Sequence, residues 1–499
     1  MRARITSIAL ALTLILTGCS SIYSTKPFVE ETFSALAEYE QQKLDWSSCY
    51  DYFDCAELRV PIDYDDLSVG TFRLAVLRAA AKDQDNRLGS IVVNPGGPGG
   101  SGVDYAYAAD YIFSPDITDV YDIVGFDPRG VGRSAPIRCL TDDETDANYA
   151  SDAKPDNPTE FETLVKEAQD YVAKCEKNTK NLTAYSTENT ARDMDVIRAV
   201  LGDEKLNYLG KSYGTYLGTI YAQLFPDKVG RLVLDGAIDP DATPLQQSLT
   251  QAVGFDQALD AFIKDCLQID TCPLPKDATK GYFTDLFDSV AKKPLTTRSK
   301  RIATGSLVVL GTASAFYDNE SGWPMLRVAL KQATDGKGSM FLTLADAYTG
   351  RQLNGTYPSN EGDSGFVIDC LDWNDGRSNK QIEQDALMFK AQAPELGPYL
   401  AYSGISCKYF SSIKQPIKIE QIKTTPIIVI GTLRDPATPY SWAVALNKLI
   451  TNSILITLDG DGHTGHGRGS TCVDKTVDTY FITGKIPATD QKCDLSTAL

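Results

Sequence analysis

The chain has 499 residues, with 48 Lys and Arg against 66 Asp and Glu, a formal net charge of -18 and 42% hydrophobic residues. That length can bury a large core and supports two or three structural units, either in tandem or as one fold carrying a large insertion. The acidic balance lacks the basic face that nucleic-acid phosphates require, so no nucleic-acid partner is expected; an acidic surface favours cationic ligands, although more often it only keeps a protein solvated.

In chain order, Arg2 and Arg4 precede an apolar run over 5–16 that is too short to span a bilayer comfortably, so residues 1–18 are expected to be a signal peptide. Leu16-Thr-Gly-Cys19 then resembles a bacterial lipobox, which makes Cys19 the expected lipidation site and 19–44 a lipid anchor and tether. The protein would sit on the cell membrane, facing away from the cytoplasm. The plainer alternative is a secretory signal with an incidental cysteine. Setting Cys19 aside leaves ten of the eleven cysteines, an even number suited to an oxidising compartment. They fall in neighbouring pairs, Cys49 with Cys55, Cys139 with Cys175, Cys266 with Cys272, Cys370 with Cys407 and Cys472 with Cys493, although the sequence alone does not prove that connectivity. No Cys-x-x-Cys occurs and there are two histidines, which argues against a metal site.

Residues 45–240 read as the first part of a core. Strand character over 55–64 is followed by a partner over 71–79 with alternating Phe72, Leu74 and Val76. Next, Ser90-Ile-Val-Val-Asn-Pro-Gly-Gly-Pro-Gly-Gly-Ser-Gly102 runs from an apolar strand into five glycines, which let backbone N–H groups approach a ligand closely. A phosphate loop is the competing reading and fails because no Gly-Lys-Ser/Thr ends the run. A further buried strand begins at Tyr121 and leads into Asp127-Pro-Arg129, read as an ion pair bracing the loop. An amphipathic helix over 190–201 leads to the strand 205–209. Gly210-Lys-Ser-Tyr-Gly214 then turns sharply into a helix over 215–225, as a nucleophile elbow does, and the candidate nucleophile is Ser212. A strand over 230–236 completes a strand-helix-strand rhythm, which implies a mostly parallel sheet.

That rhythm stops over 241–414. Helical patterns over 251–266 and 323–335, with glycine- and asparagine-containing joins near 350–365, are expected to form an inserted, mainly helical cap, whose carboxylates include Asp369 and Asp372, read equally as solvated acids beside a disulfide or as substrate-binding groups. Residues 415–499 resume the core. The strand 426–431 is followed by Asp435 in Arg-Asp-Pro-Ala-Thr-Pro439, and the strand 453–458 by Asp-Gly-Asp-Gly-His463-Thr-Gly-His466. Both loops follow strand C-terminal ends, where ligand sites of open α/β sheets lie.

Serine becomes a useful nucleophile when a histidine takes its proton and a carboxylate fixes the histidine's tautomer. The order Ser212, Asp435, His463 suits that chemistry on an α/β-hydrolase fold, and both histidines of the chain lie in the last loop. The backbone N–H groups of Gly97 and Tyr213 are the candidate oxyanion hole. Together Asn94-Pro-Gly-Gly-Pro-Gly-Gly-Ser101, Gly125-Phe-Asp-Pro-Arg-Gly130, Gly210-Lys-Ser-Tyr-Gly-Thr215, Asp435-Pro-Ala-Thr-Pro439 and Gly462-His-Thr464 resemble the secreted tripeptidyl-aminopeptidase branch of the prolyl-aminopeptidase-like α/β-hydrolases, over most of 49–493. The wider family often has His-Gly-Gly-Pro-Gly at the glycine loop, whereas Pro95 stands in the histidine's place here. The resemblance implies removal of short peptides from free N-termini without metal or organic cofactor, with cap carboxylates, Asp372 among them, holding the substrate amine. A carboxylesterase or lipase using the same three residues, and a non-catalytic surface-binding lipoprotein, are the alternatives.

Overall fold

The computed structural model describes residues 28–29, 32–373, 376–411 and 417–496. The expected signal peptide and Cys19 lie outside the described residues. These residues form thirteen strands: β1 (Phe28–Val29), β2 (Ser47–Cys49), β3 (Phe53–Pro61), β4 (Thr71–Ala79), β5 (Gly89–Asn94), β6 (Tyr121–Phe126), β7 (Leu206–Lys211), β8 (Val229–Asp235), β9 (Ile422–Lys423), β10 (Ile428–Arg434), β11 (Ile450–Thr451), β12 (Ile454–Asp461) and β13 (Gln491–Asp494), counted among the described residues. Eleven of them build one sheet in the order β13-β12-β10-β8-β7-β5-β6-β4-β3-β2, with β1 on β4. From β6 to β13 neighbouring strands run parallel; β1 to β4 form the antiparallel end. This is the mostly parallel α/β-hydrolase sheet expected above.

Every residue of β5 and β6 is buried, as parallel strands covered on both faces require. On one face the helices Thr187–Val200 and Tyr213–Leu224 pack Met194, Ile197, Leu217 and Ile220 against Val92, Val124 and Tyr208. On the other, Gly102–Tyr107 and Thr471–Thr483 bring Val103, Ala106, Val473, Val477 and Phe481 onto Ile91, Val233, Ile428 and Ile456. Between β8 and β9 the chain is helical, starting with Pro244–Cys266, and much of it has its own core around Phe262, Phe283, Phe287, Phe316, Leu326 and Phe341. That separate core is what an inserted cap requires. Among the described residues no helix is long and apolar enough to cross a membrane.

All five neighbouring cysteine pairs are disulfide-bonded. Two of them fasten the cap side: Cys370–Cys407 joins the helix Glu361–Asp372 to the turn Cys407–Tyr409, and Cys139–Cys175 joins the loop after β6 to the helix Pro158–Asn178. That helix and its neighbour Asp142–Ala150 have no counterpart in the elements read from the sequence.

The Asp127–Arg129 pair is not formed. Arg129 is fully buried, binds Asp193 through Nε at 2.7 Å and Nη2 at 2.6 Å, and donates to the carbonyls of Pro61, Ile62 and Ala184. Asp127 instead pairs with Arg133 at 3.1 Å and accepts from the backbone N–H groups of Val103 and Arg133 and from the Ser101 hydroxyl. The turn carries the two side chains apart: Asp127 goes to the glycine loop, Arg129 to the helix Thr187–Val200.

Candidate active site

Ser212, Asp235, Asp435 and His463 follow or end β7, β8, β10 and β12, four neighbouring parallel strands, at their C-terminal ends. Ser212 stands between β7 and the helix Tyr213–Leu224 with φ 54° and ψ -125°, a backbone conformation that costs a non-glycine residue about 1–3 kcal/mol. Its N–H donates to the Asp235 carbonyl at 2.9 Å, and its carbonyl accepts from the Thr215 N–H at 2.8 Å and hydroxyl at 2.7 Å. The turn closes because its glycines lack side chains: a Cβ on Gly210 would lie 2.3 Å from the Gly214 carbonyl oxygen.

His463 turns Nδ1 to Asp435, 2.9 Å from Oδ1 and 3.0 Å from Oδ2. Asp435 is buried and also accepts from the N–H groups of Ala437, Thr438 and Thr464 and from the Thr438 hydroxyl. So many donors suit a carboxylate that only accepts, which places the imidazole proton on Nδ1 and leaves Nε2 basic. The backbone N–H of His463 donates to the Tyr317 carbonyl at 2.9 Å, and the two rings meet edge to face with centroids 5.3 Å apart. Asp235 receives the Ser212 N–H; at the next residue, Gly236, a Cβ would lie 3.4 Å from His463 Cε1. One short stretch of chain therefore supports both the serine and the imidazole.

A second layer locks these loops together. The buried Asp235 carboxylate accepts from the N–H groups of Gly465 at 2.7 Å and His466 at 3.0 Å, and lies 3.3 Å from Lys211 Nζ. Lys211 also donates to the His466 carbonyl at 2.6 Å. Burial opposes the Lys211 charge, but Tyr105 and Asp235 together hold its ammonium above the usual lysine range. His466 itself is buried with Nδ1 unpartnered among the described residues, and burial, helped by Lys211, pushes its imidazole down to about 3. An enclosed ring that burial keeps neutral around pH 7 suits a structural role. Neither Lys211 nor Asp235 stood out in the sequence, because each partner lies hundreds of residues away or in another strand.

The glycine loop after β5 lies against the elbow. A Cβ on Gly96 would be 2.4 Å from the Lys211 carbonyl oxygen and 3.1 Å from the Tyr213 nitrogen. The N–H groups of Gly97 and Tyr213 have no acceptor among the described residues, and both residues line the cleft that Ser212 enters. The cap helix Glu361–Asp372 docks on this loop through its own glycines: a Cβ on Gly365 would lie 2.4 Å from the Pro98 carbonyl oxygen. That contact carries Asp369 and Trp373 into the cleft wall. Asp372, one turn from Asp369, does not line the cleft; it is buried and accepts from the Thr187 N–H at 3.2 Å and from the Thr187 hydroxyl. Burial pushes its carboxyl up to about 7 against those hydrogen bonds. Asp369 is open to the cleft yet ringed by protein, and this desolvation, with Asp372 nearby, raises its carboxyl well above the usual range. Among the described residues no group of three or more His, Cys, Asp or Glu is placed to hold a metal ion.

An elbow serine, an Asp-His pair on neighbouring strand ends and a helical insertion above them define a serine hydrolase of the α/β type. Residues 89–469 match the family of the alpha/beta hydrolase fold, and the chain belongs to that family. It is 33% identical to the serine protease Hip1 of Mycobacterium tuberculosis, over 97% of this chain and 96% of that one. It is similarly related to a carboxylesterase B of Mycobacterium tuberculosis (35% identity, 90% and 89% coverage) and to a tripeptidyl aminopeptidase of Streptomyces lividans (31% identity, 92% and 88% coverage). Peptidases and an esterase thus stand at comparable distance.

Proposed function

We propose that the protein is an extracytoplasmic serine peptidase that releases short peptides from free N-termini, held at the membrane by lipid on Cys19. Ser212 Oγ attacks the scissile carbonyl carbon while His463 Nε2 takes its proton; Asp435 steadies the imidazolium; the N–H groups of Gly97 and Tyr213 hold the oxyanion. Collapse of the tetrahedral intermediate breaks the C–N bond, and His463 returns the proton to the departing amine. Water, deprotonated by His463, then cleaves the Ser212 ester and frees the short peptide acid.

The observation that carries the peptidase reading is the position of Asp369. A carboxylate in the wall of the cleft that Ser212 enters suits a substrate ammonium group, which is what a free N-terminus offers and a simple ester lacks. Ten paired cysteines fit an oxidising compartment outside the cytoplasm. The esterase reading keeps its place because the carboxylesterase B relative is as similar as the peptidases. Turnover of fluorogenic mono-, di- and tripeptides with free N-termini, measured beside a short-chain ester, separates the two: efficient cleavage of a peptide supports the proposal, and cleavage of the ester alone overturns it.

A further inference from the structure

A second cavity, of about 460 Å³, lies between the helix Asp142–Ala150, the helix Pro158–Asn178 and the cap. It adjoins the cleft holding Ser212, since Gln251, Phe366 and Ser403 line both. Its walls include Tyr149, Tyr171, Phe255, Leu310 and Phe366. The polar side chains within reach are largely spent on the protein. Asp363 accepts from the N–H groups of Cys139 and Leu140 and from the Tyr171 hydroxyl, and Asn360 bonds the backbone at Gly130, Gly132 and Ile137. The hydroxyl of Tyr399, another lining residue, is buried without a partner among the described residues.

We infer that this chamber binds the leaving segment, and that it selects substrates with a large apolar or aromatic side chain directly after the scissile bond. The inference rests on the reading of Ser212 and His463 given above. The direction comes from His463. In acyl transfer to serine the imidazole protonates the departing group, so that group leaves on the imidazole's side of the serine. The chamber adjoins that side through Tyr317, which accepts the His463 N–H, packs its ring against the imidazole and lines the chamber wall. The acid Asp369 and Trp373 line the other compartment, with Ser212 and Tyr213. An ammonium held at Asp369 would place the acyl part of the substrate in that cleft, which Arg377 and Lys408 also line, and its remainder in the apolar chamber.

Two matched series test this with the wild-type protein. One fixes the acyl tripeptide and varies the following residue through Gly, Asp, Leu and Phe; the other fixes an aminocoumarin leaving group and varies the last acyl residue. Burial of such a side chain stabilises by about 1.5–3 kcal/mol, so Leu or Phe after the scissile bond should raise kcat/KM about 10- to 100-fold over Gly or Asp. Filling the chamber by Leu310→Trp or Ala313→Trp should reduce that preference to about threefold or less. The rate of hydrolysis of the common acyl-enzyme, read in single turnover after the leaving group has gone, should stay unchanged. A flat leaving-residue series, or filling variants that alter acyl selectivity and acyl-enzyme hydrolysis instead, overturns the assignment; if neither variant folds, the wild-type series decides by itself. Failure to cleave any peptide, with an apolar preference retained among ester leaving alcohols, would sink the peptidase proposal and leave the chamber's role standing.

Discussion

Lys211 Nζ lies 3.3 Å from Asp235 Oδ2, joining the residue before the elbow serine to the end of the neighbouring strand. Through this pair the elbow also grips the histidine loop, because Asp235 accepts two of that loop's N–H groups and Lys211 donates to its His466 carbonyl. Lys211→Met removes the cation and leaves a buried carboxylate with two N–H donors only. We predict a loss of about 3–5 kcal/mol in unfolding free energy, the scale for breaking a buried pair, together with reduced kcat as the His463 loop loosens. Urea melts and steady-state kinetics on the same preparation check both; wild-type stability would show that the pair holds nothing together.

The two histidines separate cleanly. His463→Ala should lower kcat by about four to six orders of magnitude, as should Ser212→Ala, with the fold retained in each. His466→Gln should keep most of the activity, since the His466 ring is buried away from the Asp435–His463 pair. Loss of activity confined to the His466 change would reverse the assignment.

His466 also carries a pH signature. Its folded pKa of about 3 lies below the ordinary 6.5, so as pH falls through 6.5 the unfolded chain takes up a proton first. Stability then drops by about 1.4 kcal/mol per pH unit until pH approaches 3. Asp372 works in the opposite sense, its raised pKa costing stability as pH rises from 3.8 through about 7, so the informative quantity is the difference between wild type and His466→Gln. That difference should shrink steadily as the pH is lowered from 6.5; a constant difference would show that the ring titrates normally in the fold.

Much of this architecture was legible from local pattern. The strand read at 71–79 is β4 residue for residue, and the elbow strand runs only two residues beyond its expected end because Gly210 and Lys211 still pair with β8. The helix Pro158–Asn178 could also have been read, from Asn157 capping Thr159 and Glu160 and from Pro158 at its first position. The helix Glu361–Asp372 begins inside a stretch whose glycines suggested a join; their purpose is close approach to Pro98 and Tyr149, which only the folded chain reveals. The partner of Arg129 was missed for the same kind of reason: Asp193 is far away in sequence, and the nearby Asp127 was the more obvious choice.

The Cys370–Cys407 bridge holds the helix bearing Asp369 to the turn Cys407–Tyr409, whose Cys407 and Lys408 line the cleft. Replacing both cysteines by serine should lower stability by about 3–4 kcal/mol on the chain-entropy account of a loop of this length. It should also raise KM for free peptides more than it lowers kcat. An unchanged KM would mean that the helix is positioned by its contact with the glycine loop alone.

The account stands or falls on how the substrate's N-terminus is held, and the direct measurement is the ratio of kcat/KM for one tripeptide substrate with a free and with an acetylated N-terminus, in wild type and in Asp369→Asn. Acetylation removes the ammonium charge and leaves the scissile bond untouched. If Asp369 holds that charge, the wild-type ratio should be about 10²–10⁴, the penalty for a carboxylate deprived of its partner, and should collapse towards one in Asp369→Asn. Because the Asp369 carboxyl is raised well above its usual range, the wild-type ratio should also fall as pH is lowered and the acid takes up its proton. Equal cleavage of the free and acetylated peptides by the wild-type enzyme would contradict the aminopeptidase reading, and a large ratio that survives Asp369→Asn would move the ammonium site elsewhere.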